Sequence, residues 1–190
     1  MEFEQIVLIG LGVFTLVIIF CVFTYRIRTE TEEQRIIRKL KQHFDSFVKR
    51  LSLKHTTDER VIRLNSRYSN TKLFESESHE TYTINKGEKV VMCLRDYSRE
   101  KQLHDDFNLL VFVGLHELGH IMSVSVDHEQ EFWDNFKFLL REAAEMDMYE
   151  PIDYSFDPVN YCAMTINDNP YFYERTMKEF MTQLNSLLVQ

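Results

Sequence analysis

Residues 116–133 read HELGHIMSVSVDHEQEFW. Two histidines four apart, His116 and His120, enclose Glu117, and a third, His128, precedes the aromatic pair Phe132-Trp133. On an α-helix, residues i and i+4 project from one face a turn apart, so both imidazoles can aim a ring nitrogen at one ion. Glu117, one residue further round, is badly placed as a ligand but well placed to take a proton from a water held beside that ion. Zinc brings the pKa of such a water down toward about 7, which makes hydroxide available at neutral pH. Catalytic zinc commonly takes three protein ligands and keeps a fourth position for water, so the pattern asks for another donor. His128 is the nearest, after the seven-residue connection IMSVSVD; Glu142 and Glu145, in REAAEMD on the following helix, compete with it. A helix that merely carries histidines is the bland alternative. Against it, imidazoles buried among aliphatic side chains without partners carry a desolvation cost that coordination removes.

The flanks predict the supporting elements. Phe107, Val111, Leu115, Leu118 and Met122 fall on one helical stripe and Phe112, His116 and His120 on the next, which predicts a buried helix over 104–122. Asp127 and Gln130 have capping-box spacing, so a second helix is expected from His128 or Glu129 to about Met148. Between 60 and 95, RVIRL, TKLF and TYTIN-KG-EKVVMCLR predict short extended pieces, with Gly87 supplying the positive φ of a hairpin turn. The stretch 149–170 holds all three prolines and reads as loop with one short strand, after which Asn169-Pro170 can start a last helix to about Leu188.

With 190 residues, 44% hydrophobic and 27% charged, the chain has room for one ordinary core. Cys21, Cys93 and Cys162 form no spaced framework, so they read as free thiols in a reducing compartment. Residues 6–25 carry no charge and are long enough to span roughly 30 Å of hydrocarbon, which predicts a transmembrane helix. A cleaved signal peptide fits worse, because no basic leader or small-residue cleavage site is present. Arg26 and Arg28 follow the span while Glu2 and Glu4 precede it, so a single-pass protein is expected, with its N-terminus outside or lumenal and its folded part cytosolic. The division that follows is an anchor over 1–28, a basic juxtamembrane helix over 29–55 and a domain over 56–190. Residues 26–50 carry eight Lys/Arg against four Asp/Glu, and 51–190 carry 14 against 24. An acidic body of that kind makes nucleic acid a poor partner.

HELGH followed by HEQEFW resembles the zincin metallopeptidases of the SprT, WLM (Wss1-like) and YgjP-like group. The resemblance implies His116, His120 and His128 as zinc ligands and Glu117 as the catalytic glutamate. It implies Phe132 and Trp133 as the residues that pack the third-ligand helix on the active-site helix, and a strand before that helix, for which EKVVMCLR is suitable. The expected architecture is α+β: a small zincin-like domain with a short antiparallel or mixed sheet against an active-site helix and a following ligand helix, behind the N-terminal transmembrane helix. The expected activity is hydrolysis of peptide bonds in a protein or peptide substrate by a membrane-anchored, zinc-dependent metallopeptidase. Two rivals stand beside it: a SprT/WLM-like protease acting on DNA–protein crosslinks, and a non-enzymatic structural or interaction protein of a membrane, viral among the options, that retains a zinc site.

Other side chains carry weaker signals. Tyr154 and Tyr161 could donate to an oxyanion, although a packed or exposed loop tyrosine is the commoner state. His104 reads as a surface or capping residue, and His43, His55 and His79 have no partner pattern.

Overall fold

The computed structural model describes residues 2–28, 30–96 and 102–173, and within its first helix the side chains from 10 to 24. That helix, α1 (Glu2–Arg28), forms one compact unit with the residues up to Arg35, and everything from Ile36 onward forms a second. Among the described residues no helix is long and apolar enough to cross a membrane. The expected transmembrane anchor over 6–25 is therefore not supported. The single-pass localisation and the lipid bilayer as a partner fall with it.

Helix α2 (Glu32–Lys54) buries Leu40, Phe44, Phe47, Val48 and Leu51, a stripe at three- and four-residue steps. Glu32 and Glu33 in its first turn and Lys54 in its last suit the helix dipole. The next element corrects an expectation: RVIRL is not extended but lies in α3 (Glu59–Tyr68), where Asp58 accepts the Arg60 N–H as N-cap. Val61, Leu64 and Tyr68 share its buried face. A five-residue window was too short to separate that period from a strand.

Strands β1 (Lys72–Glu75), β2 (Tyr82–Ile84) and β3 (Lys89–Met92) form a mixed sheet in the order β1-β3-β2. β1 runs parallel to β3 and β2 antiparallel to it, with Thr83 opposite Val90. The hairpin expected around Gly87 is present, with positive φ at Asn85, Lys86 and Gly87. A two-stranded piece, β4 (Arg95–Asp96) with β5 (Gln102–Leu103), intervenes before the long buried helix, so β3 does not lead directly into it.

That helix, α4 (Phe107–Met122), starts at Asp106, whose carboxylate accepts the Leu109 N–H, and is buried over most of its circumference. Gly114 is required on it: a Cβ there would run into the buried Phe44 ring of α2. Helix α5 (Gln130–Glu145) packs on its other side, ending three residues short of Met148. The Asp127/Gln130 capping box does not form. Glu129 is the N-cap without a side-chain bond, and Glu131 reaches back to accept the N–H groups of Val124 and Ser125 at 2.9 and 3.0 Å.

The stretch after α5 holds two strands rather than one, β6 (Val159–Tyr161) and β7 (Met164–Ile166), paired across a turn in which Cys162 has φ 54°. A 3-10 turn, Pro170–Phe172, follows, with the Asn169 side chain accepting the Tyr171 N–H. The last helix expected to Leu188 falls on residues outside those described. Cys93 and Cys162 are joined by a disulfide, 69 residues apart in sequence, so neither is the free thiol expected; Cys21 is free. Sequence spacing carried no sign of this pair, because the fold alone brings the β6–β7 turn beside the end of β3.

Candidate metal centre

Helix α4 supplies His116, Glu117 and His120 from adjacent turns, and His128 closes on them from the connection just before α5. The ring centroids of His116 lie 5.0 Å from those of both His120 and His128, and the latter two are 4.8 Å apart. One ring nitrogen from each falls within 4.8 Å of the others, and Nε2 of His116 and His128 are 3.0 Å apart. Nitrogens at the corners of a tetrahedral zinc site with ~2.0–2.1 Å bonds stand about 3.3 Å apart. The three histidines could thus hold a metal ion with small adjustments.

Phe132 organises the cluster. Fully buried, it stacks on His120 at 4.4 Å and meets His116 at 4.8 Å and His128 at 4.6 Å edge-on. Trp133 covers the outer face of His128 at 5.7 Å. Aromatic contacts of this kind fix imidazole orientation without using the ring nitrogens.

The connection 123–128 contains no glycine, yet it is held at many points. Arg63 donates to the Met122 carbonyl, and Arg67 to those of Ile121 and Ser123, all at 2.8 Å. These are carbonyls that the end of α4 leaves open, so α3 caps the helix that bears the histidines. Asn135 of α5 donates to the buried Ser123 hydroxyl at 2.9 Å, and Lys86 at the β2–β3 turn donates to the Ser125 carbonyl. Sequence reading singled out none of these groups. The arginines at 63 and 67, four apart, were the available signal.

Burial, with lesser contributions from His120 and His128, depresses His116 to about 3; burial, then His128 and Lys86, depresses His120 to about 4. Both rings are neutral at ordinary pH and keep a lone pair for a cation. Glu117, 4% exposed, is raised to about 7 by burial, against the opposing pull of a 2.6 Å hydrogen bond from the Thr83 hydroxyl to its Oε2.

The rival third donors are engaged elsewhere. Lys54 of α2 bridges Glu142 at 2.8 Å and Glu145 at 2.6 Å, and the structure does not bring either to the histidines. Tyr161 is buried, its hydroxyl donating to the Cys93 carbonyl at 2.7 Å and lying 2.7 Å from the Thr81 hydroxyl. Tyr154 packs against Phe112 at 5.1 Å, away from the histidines. His104 is not a plain surface residue: it stacks on Tyr161 at 5.0 Å and accepts the Cys162 N–H at 3.4 Å. His43 bonds the Met148 carbonyl at 2.8 Å and His55 meets Phe138 edge-on at 5.3 Å.

A cavity of about 960 Å³ opens beside the histidines, walled chiefly by Phe112, Val113, Phe136, Tyr161 and Ile166. His79 and the β2 residues Tyr82 and Thr83 also line it. An open concave site of this size beside a cluster of donors suits an extended chain or a small molecule.

The elements that make this site are similar to a WLM domain: that family model matches residues 81–158, which run from β2 through α4 and α5 to the residue before β6. The resemblance read from HELGH and HEQEFW therefore stands. Among known proteins, an uncharacterized protein of Acanthamoeba polyphaga mimivirus is 32% identical over 112 residues, covering 57% of this chain and 56% of the relative. Uncharacterized proteins of Invertebrate iridescent virus 6 and Invertebrate iridescent virus 3 are 32% identical over 87 residues and 36% identical over 85. They are covered over 48% and 50% of their length, with 46% and 44% of this chain aligned. The chain thus spans about half the length of the curated relatives it matches. A crystal structure of a Wss1 mutant from S. pombe aligns with a TM-score of 0.35 at 22% identity, over 46% of this chain and 76% of that one.

Proposed function

We propose that the chain is a zinc-dependent metallopeptidase. The observation that carries this reading is a buried carboxylate, Glu117, one residue from the first of three converging neutral imidazoles. Burying a carboxylate costs stability, and a site that only held metal would not need one there. When bound by His116, His120 and His128, zinc would supply Lewis acidity toward water and a carbonyl oxygen. Glu117 accepts the proton of the attacking water at a carboxylate oxygen and later delivers it to the leaving amine nitrogen. Phe112, Phe136 and Tyr161 would give the bound substrate an apolar wall beside that transfer. A protein or peptide is the substrate this chemistry implies, bound in the cavity along the β2 edge.

Two measurements on the full chain test the reading: zinc content by elemental analysis, and cleavage of a denatured protein substrate, for wild type and Glu117→Gln. Zinc retained by both with cleavage lost only in the variant is expected. A wild type that binds no zinc refutes the metal site, and zinc bound by a wild type that cleaves nothing refutes the peptidase.

A further inference from the structure

We propose that Thr83 is the positioning residue of the Glu117 carboxylate, an inference that rests on the hydrolytic reading of that site. Thr83 belongs to β2, an edge strand of the sheet, and its hydroxyl donates to Glu117 Oε2 at 2.6 Å across a separation of 34 residues. No other described group donates to that carboxylate, so Oε1 is uncommitted. The last torsion of a glutamate is broad and roughly two-fold, and an unpinned carboxylate would rotate through many orientations. Pinning Oε2 fixes where Oε1 points, which is where the proton must be collected.

The donor is itself stiff. Threonine is branched at Cβ and restricted at χ1, and Thr83 is locked in register opposite Val90. Two residues earlier, on the same face of the chain, Thr81 accepts the Cys93 N–H at 2.8 Å and meets the Tyr161 hydroxyl. The pair Thr81 and Thr83 therefore ties one wall of the cavity to the other, with the second hydroxyl aimed at the base. The hydroxyl donates and cannot be replaced by backbone, because strand N–H groups lie in the plane of the sheet.

Thr83→Val removes the hydroxyl and keeps the shape, whereas Thr83→Ser keeps the donor. In zinc-loaded full chain, Thr83→Val should lower kcat by about 10- to 100-fold, the usual loss when a group that orients an active residue is removed, with KM within about two-fold. Zinc affinity, measured by competition with a chromophoric chelator, should not change, and Thr83→Ser should restore kcat to within a few-fold. A second readout needs no turnover: acetohydroxamate titrated calorimetrically into the zinc-loaded protein should bind about ten-fold more weakly to Thr83→Val and to Glu117→Gln than to wild type and Thr83→Ser. Equal kcat, or equal hydroxamate affinity, in wild type and Thr83→Val overturns the positioning role while leaving the peptidase intact. Weakened hydroxamate binding in Thr83→Val, with a wild type that cleaves nothing, supports the positioning role and sinks the peptidase. Loss of zinc in Thr83→Val overturns the assignment by making the residue structural.

Discussion

Reduction of the Cys93–Cys162 bond is the perturbation whose cost can be worked from the fold. The bond closes a loop of 69 residues that contains α4, the connection and α5, and so every histidine of the cluster together with Glu117. In the chain-entropy description a cross-link of that span removes 2.1 + 1.5R ln 69 cal/mol/K from the unfolded state, about 4.4 kcal/mol at 25 °C. The protein carrying Cys93→Ser and Cys162→Ser should therefore lose roughly 4 kcal/mol in metal-free urea unfolding, a large part of the stability of a domain this size. Zinc acts on the same balance from the other side: at about a thousand times its dissociation constant it adds about 4.1 kcal/mol. The serine variant saturated to that degree should unfold near the urea midpoint of the metal-free, oxidised wild type. Serine substitution is preferable to a reductant because it leaves Cys21 as the one thiol for zinc in the unfolded chain, where reduction would leave three. A loss under about 1 kcal/mol would refute the loop argument. Failure of zinc to shift the midpoint would refute binding at the histidines.

Other outcomes follow from individual contacts. His128→Ala should remove most of the bound zinc, whereas Glu145→Ala should leave it, both read by elemental analysis; the reverse would move the third donor to α5. Phe132→Ala opens a void beneath all three imidazoles and should cost about 3–5 kcal/mol in chemical unfolding while weakening zinc binding. Gly114→Ala drives a methyl into the Phe44 ring and should cost about 1–3 kcal/mol, seen as a lower melting temperature without loss of zinc stoichiometry. In the metal-free protein, His116 and His120 have folded pKa values below the ordinary 6.5, so below that pH the unfolded chain takes up protons the folded one refuses. Stability should fall as pH drops from 6.5 toward about 4, and urea midpoints across that range read it directly.

The parts of this molecule that were legible beforehand are those coded by neighbours in the chain. The stripe on α4, the turn at Gly87 and the grouping of His116, His120 and His128 each depend on spacings of a few residues. What was misread depended on distant partners or on windows too short for a period. RVIRL became helix once Val61, Leu64 and Tyr68 could be counted on one face. The cap of α5 failed because Glu131 turned to the connection instead of to its own helix end. Thr83, Arg63, Arg67 and the Cys93–Cys162 bond are invisible locally, since each acts across 34 to 69 residues. The transmembrane expectation rested on the uncharged run 6–25, its length and the poor fit of a signal peptide, and no helix among the described residues has the length and apolarity to cross a membrane.

The contrast between near and distant contacts also sets an order of assembly. His116, His120 and His128 span 13 residues, so docking α5 on α4 gathers all three at little loop-closure cost. Alignment of Glu117 needs a longer-range contact, the Thr83 hydroxyl of β2 from 34 residues upstream. Under the proposed function, metal binding would thus depend on shorter-range contacts than the orientation of the base does.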